Sequence, residues 1–183
     1  MMTFRPDLSR FLRNEDGTAT VEMLISLPVL LTAFTMGYQY YDAYRAKTVA
    51  QRATYSIADL LSRQTEAIDA AYLEGVFEVF QFLSNTDDDT ARMRVTSVTV
   101  NKKGTKYKRN WSYATSGQNL NNERTREMAE KLPVIAFGDT VILVETWTEY
   151  EAMFAAVLEP VTFRGFVTTR PRFAPQLAWD NGN

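Results

Sequence analysis

Few residues in this chain are equipped for covalent or acid–base chemistry, and one carboxylate stands in an unusual place. There is no cysteine and no histidine. That removes thiol nucleophiles, disulfides, zinc sites built on Cys or His, and the side chain most used for proton transfer near neutral pH. The unusual carboxylate is Glu22. It heads a run of nineteen residues from Met23 to Tyr41 without a single charge, among them Leu24, Ile25, Leu27, Val29, Leu30, Leu31 and Phe34. Such a run can cross a bilayer as a helix, whereas a core helix of a soluble domain keeps a polar face. A carboxylate entering a membrane is costly and is usually tied to function.

Pro28 lies in the middle of the same run. Proline removes one backbone donor and clashes with the preceding turn, which predicts a kink or local melting. Hydroxyls of Ser26, Thr32 and Thr35 are placed to help satisfy freed carbonyls.

Three other groupings invite a chemical reading. Glu145 and Glu149 share a strand face and could pair as acid and base, but no nucleophile or cleft signal accompanies them. A solvated strand face is the simpler expectation. Asp87-Asp88-Asp89 offers carboxylates to a hard cation, yet lacks the alternate spacing, glycine and distal glutamate of a helix–loop–helix calcium site. A solvated loop is expected there. In Tyr107–Tyr113, Tyr107, Trp111 and Tyr113 alternate with Lys108 and Asn110, with Lys106 just before. Bases stack on aromatics and phosphates pair with lysine, so nucleic acid is conceivable. With the rings on one face and the lysines on the other, a half-buried edge strand guarded by lysines fits better, and no nucleic-acid partner is expected.

The N-terminus narrows the reading. A short polar leader, a glycine, and a glutamate at the fifth position beyond it resemble the processing signal of type IV pilins and pseudopilins. Residues 17–31, Gly-Thr-Ala-Thr-Val-Glu-Met-Leu-Ile-Ser-Leu-Pro-Val-Leu-Leu, resemble the TadE/TadG-like family of the tight-adherence (Flp) pilus system. Gly17, Val21, Glu22 and Pro28 match that pattern position by position, and Met23 replaces the usual aromatic residue. Glu149-Tyr150-Glu151 and Thr169-Arg170-Pro171-Arg172 are similar to the family's C-terminal strands. The strong part of the likeness covers about residues 13–60.

The resemblance implies a minor pilin or pseudopilin, cut by a prepilin peptidase between Gly17 and Thr18 and then assembled laterally through its first helix. Glu22 would pair with the amine of a neighbouring subunit. The implied partners are the peptidase, other pilin subunits and the Tad inner-membrane assembly machinery. The implied location is the bacterial inner membrane, with the C-terminal domain in the periplasm and the pilus as a further destination. Longer family members carry a von Willebrand-type domain that this chain is too short to hold.

Charge does not orient the chain. Arg5, Arg10 and Arg13 precede the apolar run, against Asp7, Glu15 and Asp16; Arg45, Lys47 and Arg52 follow it. The positive-inside rule is therefore balanced. The run is too long for a secretory signal peptide, and no small-x-small site closely follows it. The net charge of −2 creates no global field toward nucleic acid or acidic lipid.

The elements that must position these residues follow from periodicity. One long helix is expected from about Ala19 to about Arg63, with a seam of Ala46, Ala50, Ala53, Ile57 and Leu60 beyond the membrane run. That seam suits packing on its own domain or on another helix. A second helix is expected from Glu66 to Leu83, with a stripe of Ile68, Tyr72, Val76, Val79 or Phe80, and Leu83. Strands follow at Met93–Val100 and Tyr107–Tyr113, joined by Asn101-Lys102-Lys103-Gly104. A short capped helix from Asn121 or Asn122 to Lys131 comes next, then strands at Thr140–Tyr150 and Val161–Thr169.

The expected fold is α+β: a long N-terminal helix, a packed second helix and a four-stranded, mostly antiparallel sheet of pilin-like type. Residues 1–17 form the leader, 18–41 the transmembrane half of the first helix and 42–183 an extracytoplasmic domain. Three function classes remain: an assembly subunit, an uncleaved single-pass anchor carrying a binding or adhesion domain, and an enzyme. The enzyme is disfavoured by the missing His and Cys and by the absence of a Ser- or Gly-centred catalytic motif. No cofactor is expected.

Overall fold

In the computed structural model, residues 18–100, 107–117, 119–121, 125, 132, 136, 138–154 and 158–180 are described. The chain divides into two compact units, Met1–Tyr41 and Asp42–Asn183. Helix α1 spans Thr18–Ser62, with Pro28 inside it. Helical conformation continues on both sides of Pro28, so the turn is not melted. The Thr32 hydroxyl donates to the Pro28 carbonyl at 2.8 Å and that of Thr35 to the Leu31 carbonyl at 2.8 Å.

Helix α2 spans Ala70–Ser84, shorter at its start than the expected Glu66. The Asp69 side chain accepts from the Tyr72 amide at 2.7 Å and caps the first turn. Asn85, at φ 54°, takes the left-handed conformation that closes the last turn. Its buried stripe is Leu73, Val76, Phe77, Phe80 and Ser84, while Val79 and Leu83 are exposed. Val76 and Phe80 are buried and Tyr72 packs against the core as expected, and Leu73, Phe77 and Ser84 complete the stripe in place of Val79 and Leu83. Ile68 lies outside the helix and instead bridges, in parallel, to Trp179.

Four strands follow: β1 Ala91–Val100, β2 Tyr107–Ala114, β3 Thr140–Tyr150 and β4 Val161–Thr169. They form one sheet in the order β2-β1-β3-β4, antiparallel at every pairing. The α+β fold is thus as expected. The predicted turn at residues 101–104 lies outside the described residues, as does most of the short helix after Asn121. Of that helix, Thr125 is described, its amide bonded to the Asn121 carbonyl at 3.0 Å.

One sheet face is covered by the two helices of the second unit. Ala53, Ile57, Ala58 and Leu61 of α1 and Leu73, Val76, Phe77 and Phe80 of α2 pack with Met93, Val95, Ile142 and Val144. The small-residue seam of α1 therefore packs on its own domain, and close approach is what its alanines permit. Full burial of side chains such as Ile57, Leu61 or Phe80 contributes about 1.5–3 kcal/mol each. On the opposite face Val98 and Leu143 pack with Leu120 and Leu132.

A register shift between Ser97 and Val98 corrects one expectation. Ser97 pairs with Trp111 but Val98 pairs with Arg109, leaving Asn110 as the extra residue. A bulge of this kind breaks the alternation of faces. Trp111 and Tyr113 join the helix-covered core, whereas Tyr107 joins Val98 and Val100 on the other side. The three rings do not share a face.

Candidate functional site

The amino-terminal half of α1 is built from residues whose types suit oil rather than water. Leu24 and Phe34 are each 74% exposed, and Met23, Ile25, Val29, Leu30 and Leu31 are also exposed. An 18-residue apolar stretch of this helix has none of its residues buried. Monomers in water rarely expose contiguous apolar patches beyond a few hundred Å². By length and composition α1 can cross a membrane.

Thr18 is the first residue of α1, and Glu22 is one turn later on the same side, exposed. Gly17, the residue on the other side of the expected scissile bond, lies outside the described residues. The structure thus places Thr18, Glu22 and Pro28 on one continuous helix.

The alternative chemical sites resolve differently. Glu145 is buried, which overturns the solvated-face expectation. Arg94 Nε donates to Glu145 Oε2 at 2.7 Å, and their side chains are 14% and 8% exposed. The Arg94 guanidinium also stands 5.1 Å from the centre of the Trp147 ring. Glu149 is held by Arg92. Both carboxylates are therefore committed to cross-strand arginines rather than to each other, an arrangement that pins register.

The Asp87–Asp89 loop is held by its own side chains. Asp87 Oδ1 accepts from the Thr90 amide at 3.0 Å and from its hydroxyl at 2.6 Å, and Asp88 accepts from Gln81 at 2.7 Å. The Thr90 hydroxyl and then its amide hold the Asp87 carboxyl below its usual range. Among the described residues, no group of three or more His, Cys, Asp or Glu is placed to hold a metal.

The rings offered for base stacking are occupied. Trp111 packs at 5.1 Å and Tyr113 at 5.6 Å from Trp179, centre to centre. Trp111 Nε1 donates to the Leu177 carbonyl at 2.8 Å. This tail, residues 171–180, is the largest feature that sequence reasoning missed. Leu177 and Trp179, apolar residues beyond Pro171 and Pro175, were the available signal. A cleft of about 540 Å³ in the second unit is lined by Asp42, Arg45, Asn85, Glu149, Tyr150 and Phe163 among others. There the Tyr150 hydroxyl donates to Asp42 at 2.8 Å, and Glu149 is already held by Arg92. Mixed charge and paired carboxylates give this cleft no evident chemistry.

Compared with known proteins, no family model, no curated protein and no solved structure matches the chain.

Proposed function

We propose that this chain is a minor pilin or pseudopilin of the TadE/TadF type. It would be cut after Gly17 by a prepilin peptidase and would join a tight-adherence pilus through the apolar half of α1. The observation that carries the reading is Glu22 at the head of a helix whose apolar half is exposed on all sides, in the motif that runs from Gly17 to Pro28. In this reading the second unit lies in the periplasm, and Pro28 is the point where the helix can kink or stretch as it leaves the bilayer.

Glu22 takes its role from the new terminus. Once the leader is removed, the Thr18 amine is a cation one helical turn away. A charge at the centre of a membrane helix costs about 2.5–3.5 kcal/mol on insertion scales and less at its edge, and pairing with an amine offsets part of what Glu22 bears there. The amine of a neighbouring subunit would make the pair a register device. Glu22→Ala should insert normally but co-purify less with the major pilin, and Glu22→Lys should do more damage because two cations meet.

N-terminal sequencing of the membrane-extracted protein tests the whole reading. Thr18 as first residue is expected, and Gly17→Arg should leave a species larger by the leader. An intact leader in the wild-type chain would instead establish the uncleaved anchor.

A further inference from the structure

The aromatic residues of the first unit are unevenly placed. Between Thr20 and Gly37 the only ring is Phe34, whereas Tyr38, Tyr40 and Tyr41 fall within four positions. They close the charge-free run, and Asp42 follows at once. All three are more than half exposed. At 100° per residue, Tyr40 and Tyr41 lie about 200° and 300° round the helix from Tyr38. A seam for a partner helix would confine its rings to one stripe at spacings of three and four. These three positions spread over an arc of about 160°, a partial collar wider than such a stripe.

A phenol is apolar over its ring and polar at its tip, and such side chains concentrate where hydrocarbon meets water. The dimensions agree. Nineteen residues at a rise of 1.5 Å give about 28 Å from Met23 to Tyr41, close to the roughly 30 Å hydrocarbon thickness of a bilayer. We infer that Tyr38, Tyr40 and Tyr41 form a collar that sits in the headgroup layer of a phospholipid bilayer and fixes the depth of α1. Glu22 then lies about 28 Å away along the helix, at the opposite edge of the hydrocarbon. The inference rests on the membrane-span part of the proposed function and is independent of pilus assembly.

The absence of cysteine allows single labelled positions in the full chain. Nitroxide labels at Leu31→Cys, Gly37→Cys and Arg45→Cys would be read in phosphatidylcholine–phosphatidylglycerol vesicles, comparing collisions with oxygen and with a water-soluble nickel chelate. A Cβ at Gly37 meets nothing within 4 Å, so that label is tolerated. The Leu31 label should report hydrocarbon, the Gly37 label the headgroup boundary about 9 Å shallower, and the Arg45 label water. In a triple Tyr38→Leu, Tyr40→Leu, Tyr41→Leu variant, which keeps the helix apolar, the Gly37 label should sink by about one helical turn, roughly 5 Å. The matching triple Phe variant, retaining rings without hydroxyls, should shift less. A Gly37 depth unchanged in the Leu variant overturns the collar while leaving the span intact. A Leu31 label open to the nickel chelate overturns the span itself, and the collar with it.

Discussion

Two side chains in the sheet are held by partners that their sequence neighbours do not announce. Arg94 and Glu145 sit opposite each other on β1 and β3, both largely buried, and are the pair whose loss matters most. Removing one partner of a buried pair strands the other, at a cost of about 3–5 kcal/mol, whereas replacing both with apolar residues is often close to neutral. Arg94→Met alone is therefore expected to lower stability by that amount in urea unfolding. Arg94→Met combined with Glu145→Leu should recover most of it. Tyr113 gives a pH signature. Its hydroxyl donates to Glu74, and this bond, then burial and the Glu74 charge, pushes its pKa from 10.0 up to about 12. The folded value lies above the unfolded one, so the stabilisation is complete below pH 10 and is lost as the pH rises from about 10 to about 12. Tyrosinate absorbance should show a late-titrating component that is absent from Tyr113→Phe.

At the scale of elements, the contact between α1 and the sheet depends on a position without a side chain. Thr54 donates to the Ala50 carbonyl at 2.8 Å and meets the Thr146 hydroxyl at 2.7 Å, beneath Gly165 on β4. A Cβ on Gly165 would come within 2.6 Å of Thr54 Oγ1 and closer still to Thr146 Oγ1. Gly165→Ala should destabilise by about 1–3 kcal/mol, as overpacking does. Thr54→Ser removes a methyl but keeps the colliding oxygen, so it should not rescue Gly165→Ala, while Thr54→Ala should do so in part. Comparison of thermal midpoints of the two double variants decides this. The end of α1 is tied down from afar as well: the Arg172 amide donates to the Ser62 carbonyl at 2.8 Å, and its guanidinium lies 3.0 Å from Asp59. An orphan carbonyl and the negative end of the helix dipole are both answered by the tail.

For the molecule as a whole, the two units make opposite demands on solvent. The second, Asp42–Asn183, carries the buried core of both sheet faces. The first exposes an apolar helix. A chain beginning at Asp42 is expected to remain in the soluble fraction and unfold cooperatively, and the full chain to require detergent or lipid. Partition into a detergent phase, read by immunoblot, separates these outcomes; aggregation of the shorter chain would show that the second unit depends on the first.

Local pattern alone specified the apolar run from Met23 to Tyr41, its entry at Glu22, the continuity of α1 beyond the run and the four strands, because hydrophobic period and run length are properties of neighbouring residues. The mostly antiparallel sheet was expected from the α+β order of the elements, and every pairing is antiparallel. Tertiary structure decided what sequence neighbours cannot encode. The bulge at Asn110, which sends Tyr107 to the opposite face from Trp111, exists only in the pairing of β1 with β2. The start of α2 at Ala70 is set by the Asp69 cap, while Ile68 before it is held by the tail, its amide bonded to the Ala178 carbonyl at 3.0 Å. Glu145 looked like a solvated carboxylate until Arg94, fifty-one residues earlier in the chain, was brought against it. For the bulge, the Ile68 bridge and Glu145 the deciding partner is distant along the chain, and only chain closure makes it a neighbour.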